Sequence, residues 1–324
     1  NEMPHRSAEK VNMKTFCNAF PDGSDYLPVC TELLNRLGFM ICDETPTPTV
    51  GRVYFSTDDI VVYHPFCDDF GPFNLSAVYH FCTDLRCLVE GYPTESIVYY
   101  TTGNQRQATN CAFLLASYLV MELNYSADDA WSPFSSIPSS AFAGFRDASY
   151  DPATFTLTIL DCLRGLAKAR DCGFVCFHDG SFDAAAYDSL DDPANGDIHV
   201  LVPGRFLAFK GPREDGIPAG RLWADTPSGS RIFHPSYYAD IFRELGVRAV
   251  VRLNEARYDA AHFARAGTPV VDLPFDDCTV PPLGAVFRFF RAADAAPAGA
   301  LAVHCRAGLG RTGTLVALYM MKHH

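Results

Sequence analysis

Apolar residues in the second half of the chain form short runs that alternate with amphipathic stretches. The runs are "IHVLVPGRFLAF", "RAVVRLN", "TPVVDLPF" and "ALAVHC", and each reads as one or two buried strands. Between them, "SYYADIFRELG" and "PLGAVFRFFRAADA" place apolar residues at helical spacing. This alternation predicts an α/β fold with a mostly parallel central sheet covered by helices on both faces.

The first half of the chain shows a similar alternation. We predict strands at "RVYFST", "IVVYHP" and "SIVYYT", and helices near 25–38, 73–89, 107–123 and 153–171. The stretch around "SIVYYTTGNQRQATN" has the layout of the later "ALAVHCRAGLGRTGT", with Arg106 in its turn but Thr101 or Thr102 in place of a cysteine. Two explanations remain open: two related halves, the first without a nucleophile, or a coincidence between two strand–turn–helix units.

The segment "HDGSFDAAAYDSLDDPANGD" separates the two halves. It is rich in Asp, Ala and Gly, and "DAAAYDSL" predicts a helix that Pro193 ends. We therefore predict a first domain at 1–180, a linker helix at 181–194 and a second domain at 195–324.

Composition narrows the class of protein. The chain has 324 residues, of which 48% are hydrophobic, and a formal net charge of −12. This charge argues against nucleic acid or an anionic membrane as a partner and favours basic partners. The 12 cysteines have no regular spacing, which is typical of reduced thiols in an intracellular protein, and we predict neither a metal nor a cofactor. The longest apolar run is too short to span a bilayer, and we expect no export because no signal-peptide pattern is seen.

The stretch "HCRAGLGRT" indicates a phosphate-binding loop that carries its own nucleophile. The loop backbone from Arg306 through Ala307, Gly308, Leu309 and Gly310 curls so that its N–H groups, together with the next helix N-terminus, can face an anion. Arg311 adds a planar fork that matches two phosphate oxygens. The same field favours the thiolate of Cys305. We expect His304 to order the loop through hydrogen bonds and Thr312 to offer a hydroxyl near the sulfur.

A dinucleotide-binding interpretation also fits part of this loop. Gly308 to Gly313 matches G-x-G-x-x-G after a strand and before a helix. That interpretation gives Cys305 and Arg311 no role, and the chain ends before an acidic residue that would hold a ribose. We therefore favour phosphate chemistry.

The full pattern H-C-x-x-G-x-G-R-T is the signature of cysteine-dependent protein phosphatases, and the chain resembles the cell-division-cycle-fourteen family of dual-specificity phosphatases. The resemblance covers most of residues 50–324, and the first fifty residues match less clearly. It is carried by "DDFGPFNLSAVYHFC", "FRDASYDPATFTLTILDCL", "PGRFLAFKGP", "VVRLNEARYDAAHFARAG" and "HCRAGLGRTGTL", in the family's order.

The resemblance implies two tandem phosphatase-like domains joined by a linker helix, of which only the second is catalytic. It also implies a phosphocysteine on Cys305, phosphate held by Arg311, and a general acid four residues before a proline. Within "VDLPFDDCTVPP", Asp277 with Pro281 fits this spacing and Asp276 fits less well, while Asp272 is expected at the strand end. No metal takes part in this chemistry.

The resemblance further places Asp188, Asp191 and Asp197 in an acidic groove that receives a Lys or Arg after the phosphoserine. The family mostly has Glu at the first two positions, and the shorter Asp can weaken or shift this preference. The implied substrates are phosphoproteins with phosphoserine-proline sites left by cyclin-dependent kinases; phosphothreonine and phosphotyrosine are also expected to be hydrolysed. The implied roles are in mitotic exit or cytokinesis, and the implied locations are nucleus, nucleolus, spindle poles or centrosomes, with some cytoplasm.

Two other functions stay open on sequence grounds. A phosphoinositide phosphatase is expected to hold extra phosphates with basic residues at the positions of Arg306 and Leu309, of which only one is basic here. A phosphopeptide-binding module without turnover is the other alternative. Since the family continues with further helices beyond the position of His324, we also expect that the sequence lacks the C-terminal helices of the second domain.

Overall fold

The computed structural model describes residues 27–28, 36–296 and 299–324. The chain forms two compact units, 1–182 and 183–324, and each is described by itself. The boundary falls inside the segment predicted as a linker, and the helix of that segment belongs to the second unit.

The first unit is built on a sheet with the spatial order β1-β2-β4-β3. Strands β2 and β3 lie parallel to β4, whereas β1 pairs antiparallel with β2. A separate antiparallel pair, β5 and β6, lies later in this unit. These strands span Leu27–Pro28 (β1), Leu37–Ile41 (β2), Arg52–Phe55 (β3), Ser96–Thr101 (β4), Phe145–Arg146 (β5) and Thr156–Leu157 (β6).

A buried central helix dominates the core of the first unit. Every residue from Ala108 to Met121 in this helix, α2, is buried, which explains why its sequence is apolar on all sides. Asn104 begins the helix with a capping box completed by Gln107. The helices of this unit are α1 (Leu75–Gly91), α2 (Gln105–Met121), α3 (Ala127–Trp131) and α4 (Ile159–Asp171), with 3₁₀ turns at Ser132–Ser136 and Ser139–Ala141.

Two sequence expectations in the first unit are wrong. Residues 60–65, "IVVYHP", form no strand but an irregular segment. Ile60 and Val62 are largely exposed, so these apolar side chains do not pack against a sheet or a helix. Pro65 has no N–H to donate to a strand ladder. The helix expected near 25–38 is also incorrect at both ends, where β1 and β2 lie, because the apolar side chains there pack into the sheet; positions 29–35 fall outside the described residues.

The second unit contains a sheet with the order β12-β11-β13-β8-β7, in which all pairs are parallel except β7 with β8. A short antiparallel hairpin, β9 and β10, lies outside this sheet. The carboxyl ends of β8, β11 and β13 therefore meet at one edge, where parallel α/β sheets bind ligands. The strands are β7 (Ile198–Val202), β8 (Phe206–Phe209), β9 (Trp223–Asp225), β10 (Arg231–Phe233), β11 (Val247–Arg252), β12 (Val270–Asp272) and β13 (Ala300–His304).

Helices cover both faces of this sheet, as the alternation of strands and helices predicts. On one face, Phe209 packs edge-on against Phe242 of α6. On the other face, Phe206 stacks on Phe289 of α8 and contacts Tyr319 of α9. The helices of this unit are α5 (Ala184–Asp191), α6 (Ala239–Glu244), α7 (Ala261–Arg265), α8 (Leu283–Asp294) and α9 (Gly310–His323), with a 3₁₀ turn at Pro235–Tyr238.

Candidate active site

The glycine-rich loop connects the end of β13 to the start of α9, at the carboxyl edge of the sheet. Cys305 follows the strand directly and is buried, and α9 begins at Gly310. Gly308 has a φ of +79°, and a Cβ there would lie 2.5 Å from the carbonyl oxygen of Phe209. Only glycine meets both conditions, so the loop can press against the end of β8.

Hydrogen bonding and charge around Cys305 favour its thiolate. Burial raises the pKa of this thiol, but contacts with the hydroxyl and backbone N–H of Thr312, the N–H of Gly308 and the charge of Arg311 outweigh it, so the pKa lies below its usual value. The Thr312 hydroxyl approaches the sulfur without ideal hydrogen-bond geometry. A thiolate at neutral pH is a competent nucleophile.

Arg311 is buried and held by the loop that follows β12. Its Nη1 donates to the carbonyl oxygen of Phe275 at 3.1 Å, and its Nη2 donates to Oδ2 of Asp277 at 3.1 Å. Within the described residues, Nε of Arg311 and Oγ1 of Thr312 are buried without a full hydrogen-bond partner. Buried donors of this kind are costly unless a ligand accepts from them, and both lie in the first turn of α9, next to the loop that should hold an oxyanion.

His304 is completely buried behind the loop. Burial lowers the pKa of its imidazole to about 4, so the ring is neutral at neutral pH. Its Nδ1 donates to the carbonyl oxygen of Cys305 at 2.9 Å, and its Nε2 accepts from the hydroxyl of Tyr258 at 2.8 Å. A neutral ring with both nitrogens engaged can order the loop through these hydrogen bonds, and neither nitrogen is left open to take a proton from a substrate. Tyr258 had no signal in the sequence.

The loop after β12 carries both candidate acids, and it brings one of them, Asp277, into contact with Arg311. Asp277 reaches Arg311, whereas no contact from the side chain of Asp276 to that arginine is found within the described residues. The residue after the acid, Cys278, has a φ of +56°, so the backbone is strained at this point. Asp272 lies at the strand end, as expected, and pairs with Arg252 at 2.5 Å.

A cavity of about 350 Å³ opens between these two loops. Asp277, Arg311 and Arg306 line it, and so does Asp276, the other candidate acid. Glu255, shortly after β11, is also part of the wall, and sequence reasoning missed it because a lone glutamate after a strand carries no motif. The cavity therefore brings together both candidate acids, the candidate phosphate clamp Arg311, a further arginine and a glutamate, and the contact with Arg311 is what distinguishes Asp277.

Two of the three predicted groove residues hold a histidine. His199 lies between Asp191, 2.5 Å from Nδ1, and Asp197, 3.0 Å from Nε2. Burial lowers the pKa of His199, but the two carboxylates outweigh this and raise it to about 9. The ring is therefore a cation at neutral pH, and it compensates part of the acidic charge that the sequence suggests. Asp188 lies on α5, one turn before Asp191.

The corresponding loop of the first unit is occupied by its own side chains. The carboxylate of Asp58 accepts from the Thr101 hydroxyl and from the Thr102 N–H, each at 2.8 Å. Arg106 pairs with Asp68 through both terminal nitrogens, at 3.0 and 3.1 Å. The Thr101 hydroxyl, the Thr102 N–H and the Arg106 guanidinium thus already bind carboxylates, the N–H of Gly103 donates to the Thr101 hydroxyl oxygen, and a threonine stands at the head of the loop in place of a cysteine.

One group of possible metal ligands, Glu214, His234 and His262, was not expected from the sequence, which predicts no metal. Nε2 of His262 lies 2.5 Å from Oε1 of Glu214, closer than the roughly 3.3 Å that separates two ligands on a tetrahedral zinc ion. Nδ1 of His234 accepts from the Ser236 N–H, which places the ring proton on the nitrogen that faces Glu214. This arrangement fits direct contacts among the three side chains better than three ligands spaced around one ion.

Comparisons with known proteins match both units. A family profile described as the N-terminal half of dual specificity protein phosphatases matches residues 31–169. A second profile, described as a DSP-PTPase phosphatase of polymorphic toxin systems, matches residues 224–324. Within the described residues, none of the helices has the length and apolar character needed to cross a membrane.

Curated relatives align with nearly the whole chain. The human dual specificity protein phosphatase CDC14A is 39% identical over 305 residues, which is 94% of this chain and 50% of the relative. The Caenorhabditis elegans tyrosine-protein phosphatase cdc-14 is 38% identical over 91% of this chain and 42% of the relative. The Saccharomyces cerevisiae tyrosine-protein phosphatase CDC14 is 33% identical over 92% and 54%. The chain thus spans about half the length of these relatives.

Solved structures give shorter matches. The structure of TpbA from P. aeruginosa is 21% identical, with a TM-score of 0.29, over 40% of this chain and 65% of that one. The structure of Tk-PTP in its active form is 21% identical, with a TM-score of 0.28, over 37% of this chain and 70% of that one. On the sequence similarity to the curated relatives across both units, the chain belongs to the CDC14 family of dual-specificity phosphatases.

Proposed function

We propose that the protein hydrolyses phosphoserine, and also phosphothreonine and phosphotyrosine, through a phosphocysteine on Cys305. The observation that carries this proposal is the buried thiol of lowered pKa beside Arg311, whose Nε has no partner among the described residues. A thiolate and an unsatisfied guanidinium at one helix N-terminus suit a phosphoryl group, which needs a nucleophile and fixed positive charge together.

In the first step, the Cys305 thiolate attacks phosphorus in line, and the S–P bond forms as the bond to the serine oxygen breaks. The loop N–H groups and Arg311 hold the equatorial oxygens through the transition state. A phosphate that binds Arg311 competes with the Asp277 carboxylate, which now lies 3.1 Å from Nη2. The carboxyl group is then released towards the leaving oxygen.

A general acid is needed because a serine alkoxide is a poor leaving group. Asp277 gives its proton to the serine oxygen. As a carboxylate, it then takes a proton from water, which attacks the phosphocysteine and restores the thiolate with release of inorganic phosphate. His304 is neutral and fully engaged, so its role is to hold the loop.

Phosphoserine-proline sites followed by a basic residue are the proposed substrates. Support comes from the acidic side chains of α5 and of Asp197, the residue before β7; Asp191 and Asp197 hold the single cationic ring of His199 between them. Two carboxylates against one cation leave a negative charge that can attract a lysine or arginine nearby. Asp188 is proposed as the third member of this groove.

Phosphate release from matched peptides tests this proposal. A phosphoserine-proline peptide with a lysine three residues after the phosphoserine should be hydrolysed faster than peptides that lack either residue. Asp197→Asn should reduce the effect of that lysine, while Asp240→Asn, an exposed substitution on α6, should not. Equal rates for all peptides would refute the preference, and faster hydrolysis of a soluble phosphoinositide would refute the substrate class.

Similarity to the CDC14 relatives supports a role in the cell cycle. Action on substrates of cyclin-dependent kinases is proposed together with it. We place this role in the nucleus and at spindle poles or centrosomes as part of the same proposal. Imaging of a fluorescently tagged chain through mitosis tests it, and a uniform distribution at all stages would contradict it.

A further inference from the structure

A second cavity of about 290 Å³ lies beside the first and is rich in positive charge. Its wall includes Lys210, Arg213, Arg257 and Arg306. The side chains of Arg257 and Arg306 form no ion pair with any described residue, while Arg213 is paired with Asp215 at 2.7 Å. Such a concentration of cations is unexpected in a chain whose net charge is −12.

The basic cavity is continuous with the catalytic one through shared walls. Arg306 and Glu255 line both cavities. The N–H of Gly211, next to Lys210, donates to the carbonyl oxygen of Arg306 at 3.2 Å. On the other side, the N–H of Leu253 donates to the carbonyl oxygen of His304 at 2.9 Å. The segments after β8 and β11 are thus fixed directly to the catalytic loop.

The lining also offers hydrogen-bonding groups that are suited to a ligand. Nζ of Lys210 donates to the hydroxyl oxygen of Ser230 on the β9–β10 hairpin at 3.0 Å and to the carbonyl oxygen of Arg231 at 2.8 Å, and these bonds fix the ammonium group in the cavity wall. Asn254 is 5% exposed, and its Oδ1 has no hydrogen-bond partner among the described residues although its Nδ2 donates to the Glu255 carbonyl. This buried acceptor suits a donor such as a peptide N–H.

We infer that the basic cavity is a subsite for a second phosphate on the same peptide, so that doubly phosphorylated segments are preferred substrates. This inference rests on the proposed function and specifies its substrate class. A peptide suits the cavity better than a membrane lipid, because the strongly negative chain would be repelled by an anionic bilayer. Because the two cavities share Arg306 and Glu255 and an extended peptide advances about 3.3 Å per residue, the second phosphate belongs close to the first in sequence.

The test compares kcat/KM for a singly phosphorylated peptide with that for a series carrying a second phosphoserine at each neighbouring position. One member of the series should be hydrolysed about tenfold faster. Lys210→Met and Arg257→Gln should abolish this gain and leave the hydrolysis of an aryl phosphate unchanged. Arg243→Gln is the matched control, because it removes an exposed arginine of α6 that lines neither cavity.

Binding separates this inference from the proposed function. The Cys305→Ser protein should bind the preferred doubly phosphorylated peptide about tenfold more tightly than the singly phosphorylated one, whether or not the parent protein turns either over. Equal binding of the two peptides, a gain that survives both substitutions, or tighter binding of a soluble inositol bisphosphate would overturn the inference. Failure of the parent protein to hydrolyse any phosphopeptide would overturn the proposed function instead.

Discussion

At the scale of single residues, the site consists of groups whose charge states are set by their neighbours. Hydrogen bonds and Arg311 lower the pKa of Cys305 although the thiol is buried, whereas burial keeps His304 neutral. Both pKa values are therefore lowered, with opposite consequences. The Cys305 thiol becomes a reactive thiolate, whereas the His304 imidazole stays neutral and serves to hold the loop.

The first prediction concerns the pH dependence of Cys305 alkylation. Because the thiolate is the reactive form and its pKa is lowered, reaction with iodoacetamide should reach half its maximal rate below pH 9, the ordinary pKa of cysteine. Thr312→Val should move this midpoint upwards. Mass spectrometry of the Cys305 peptide gives the rates. A midpoint at or above pH 9 would contradict the account.

The second prediction separates the two neighbouring carboxylates. Asp277→Asn should reduce kcat for a phosphoserine peptide by roughly 10²- to 10⁴-fold, because the serine oxygen would leave unprotonated. For an aryl phosphate, whose leaving group needs no proton, the same substitution should leave phenol release in the first turnover nearly unchanged and slow only the later hydrolysis of the phosphocysteine. Asp276→Asn is the matched control and should retain most activity on both substrates. An equal slowing of the first turnover on the two substrates would indicate a structural role for Asp277.

At the scale of elements, the catalytic loop works because β8, β13 and α9 bring backbone groups close together. Gly308 lies where the loop crosses the end of β8. Gly211, shortly after β8, lies equally close to the loop, because a Cβ there would be 2.2 Å from the Cys305 carbonyl oxygen. The sequence motif identifies the first of these glycines. It does not reveal the second, which lies far away in the chain.

The third prediction uses two glycines of this region. Gly308→Ala should abolish most activity, since the added methyl group would meet the Phe209 carbonyl at 2.5 Å and the φ of +79° is unfavourable for alanine. Gly313→Ala, inside α9 and with no atom within 4 Å of the new Cβ, should be tolerated and stabilise the helix by about 0.5–1 kcal/mol. Thermal unfolding and phosphate release measure both effects, and equal losses would count against this geometry.

The fourth prediction concerns the contact between α5 and β7. The pKa of His199 is raised to about 9, so its pairing with Asp191 and Asp197 stabilises the fold fully below the ordinary pKa of about 6.5 and is lost as pH rises through about 9. The free energy of unfolding of the parent protein should therefore fall between pH 7 and 10 more steeply than that of His199→Gln. Parallel pH profiles for the two proteins would show that His199 is not held as a cation.

At the scale of the whole molecule, sequence patterns and the resemblance predict the two α/β units, and they nominate the candidate catalytic residues. They predict α2 and α9 well because long apolar helices leave a strong pattern. They fail at residues 60–65, where exposed apolar side chains imitate a strand, and at His199 and Glu255, whose surroundings come from distant segments. Charge compensation and cavity walls depend on which segments meet in space, and no local pattern records that.

The central claim is that Cys305 carries the phosphoryl group during turnover, and rapid acid quenching of the parent protein with a phosphoserine peptide tests it most directly. Mass spectrometry should find one phosphoryl group on the Cys305 peptide, Asp277→Asn should change its level through slower formation or hydrolysis, and Cys305→Ser should release no phosphate. Phosphate release by Cys305→Ser at the parent rate, or a phosphoryl group on another residue alone, would contradict the account.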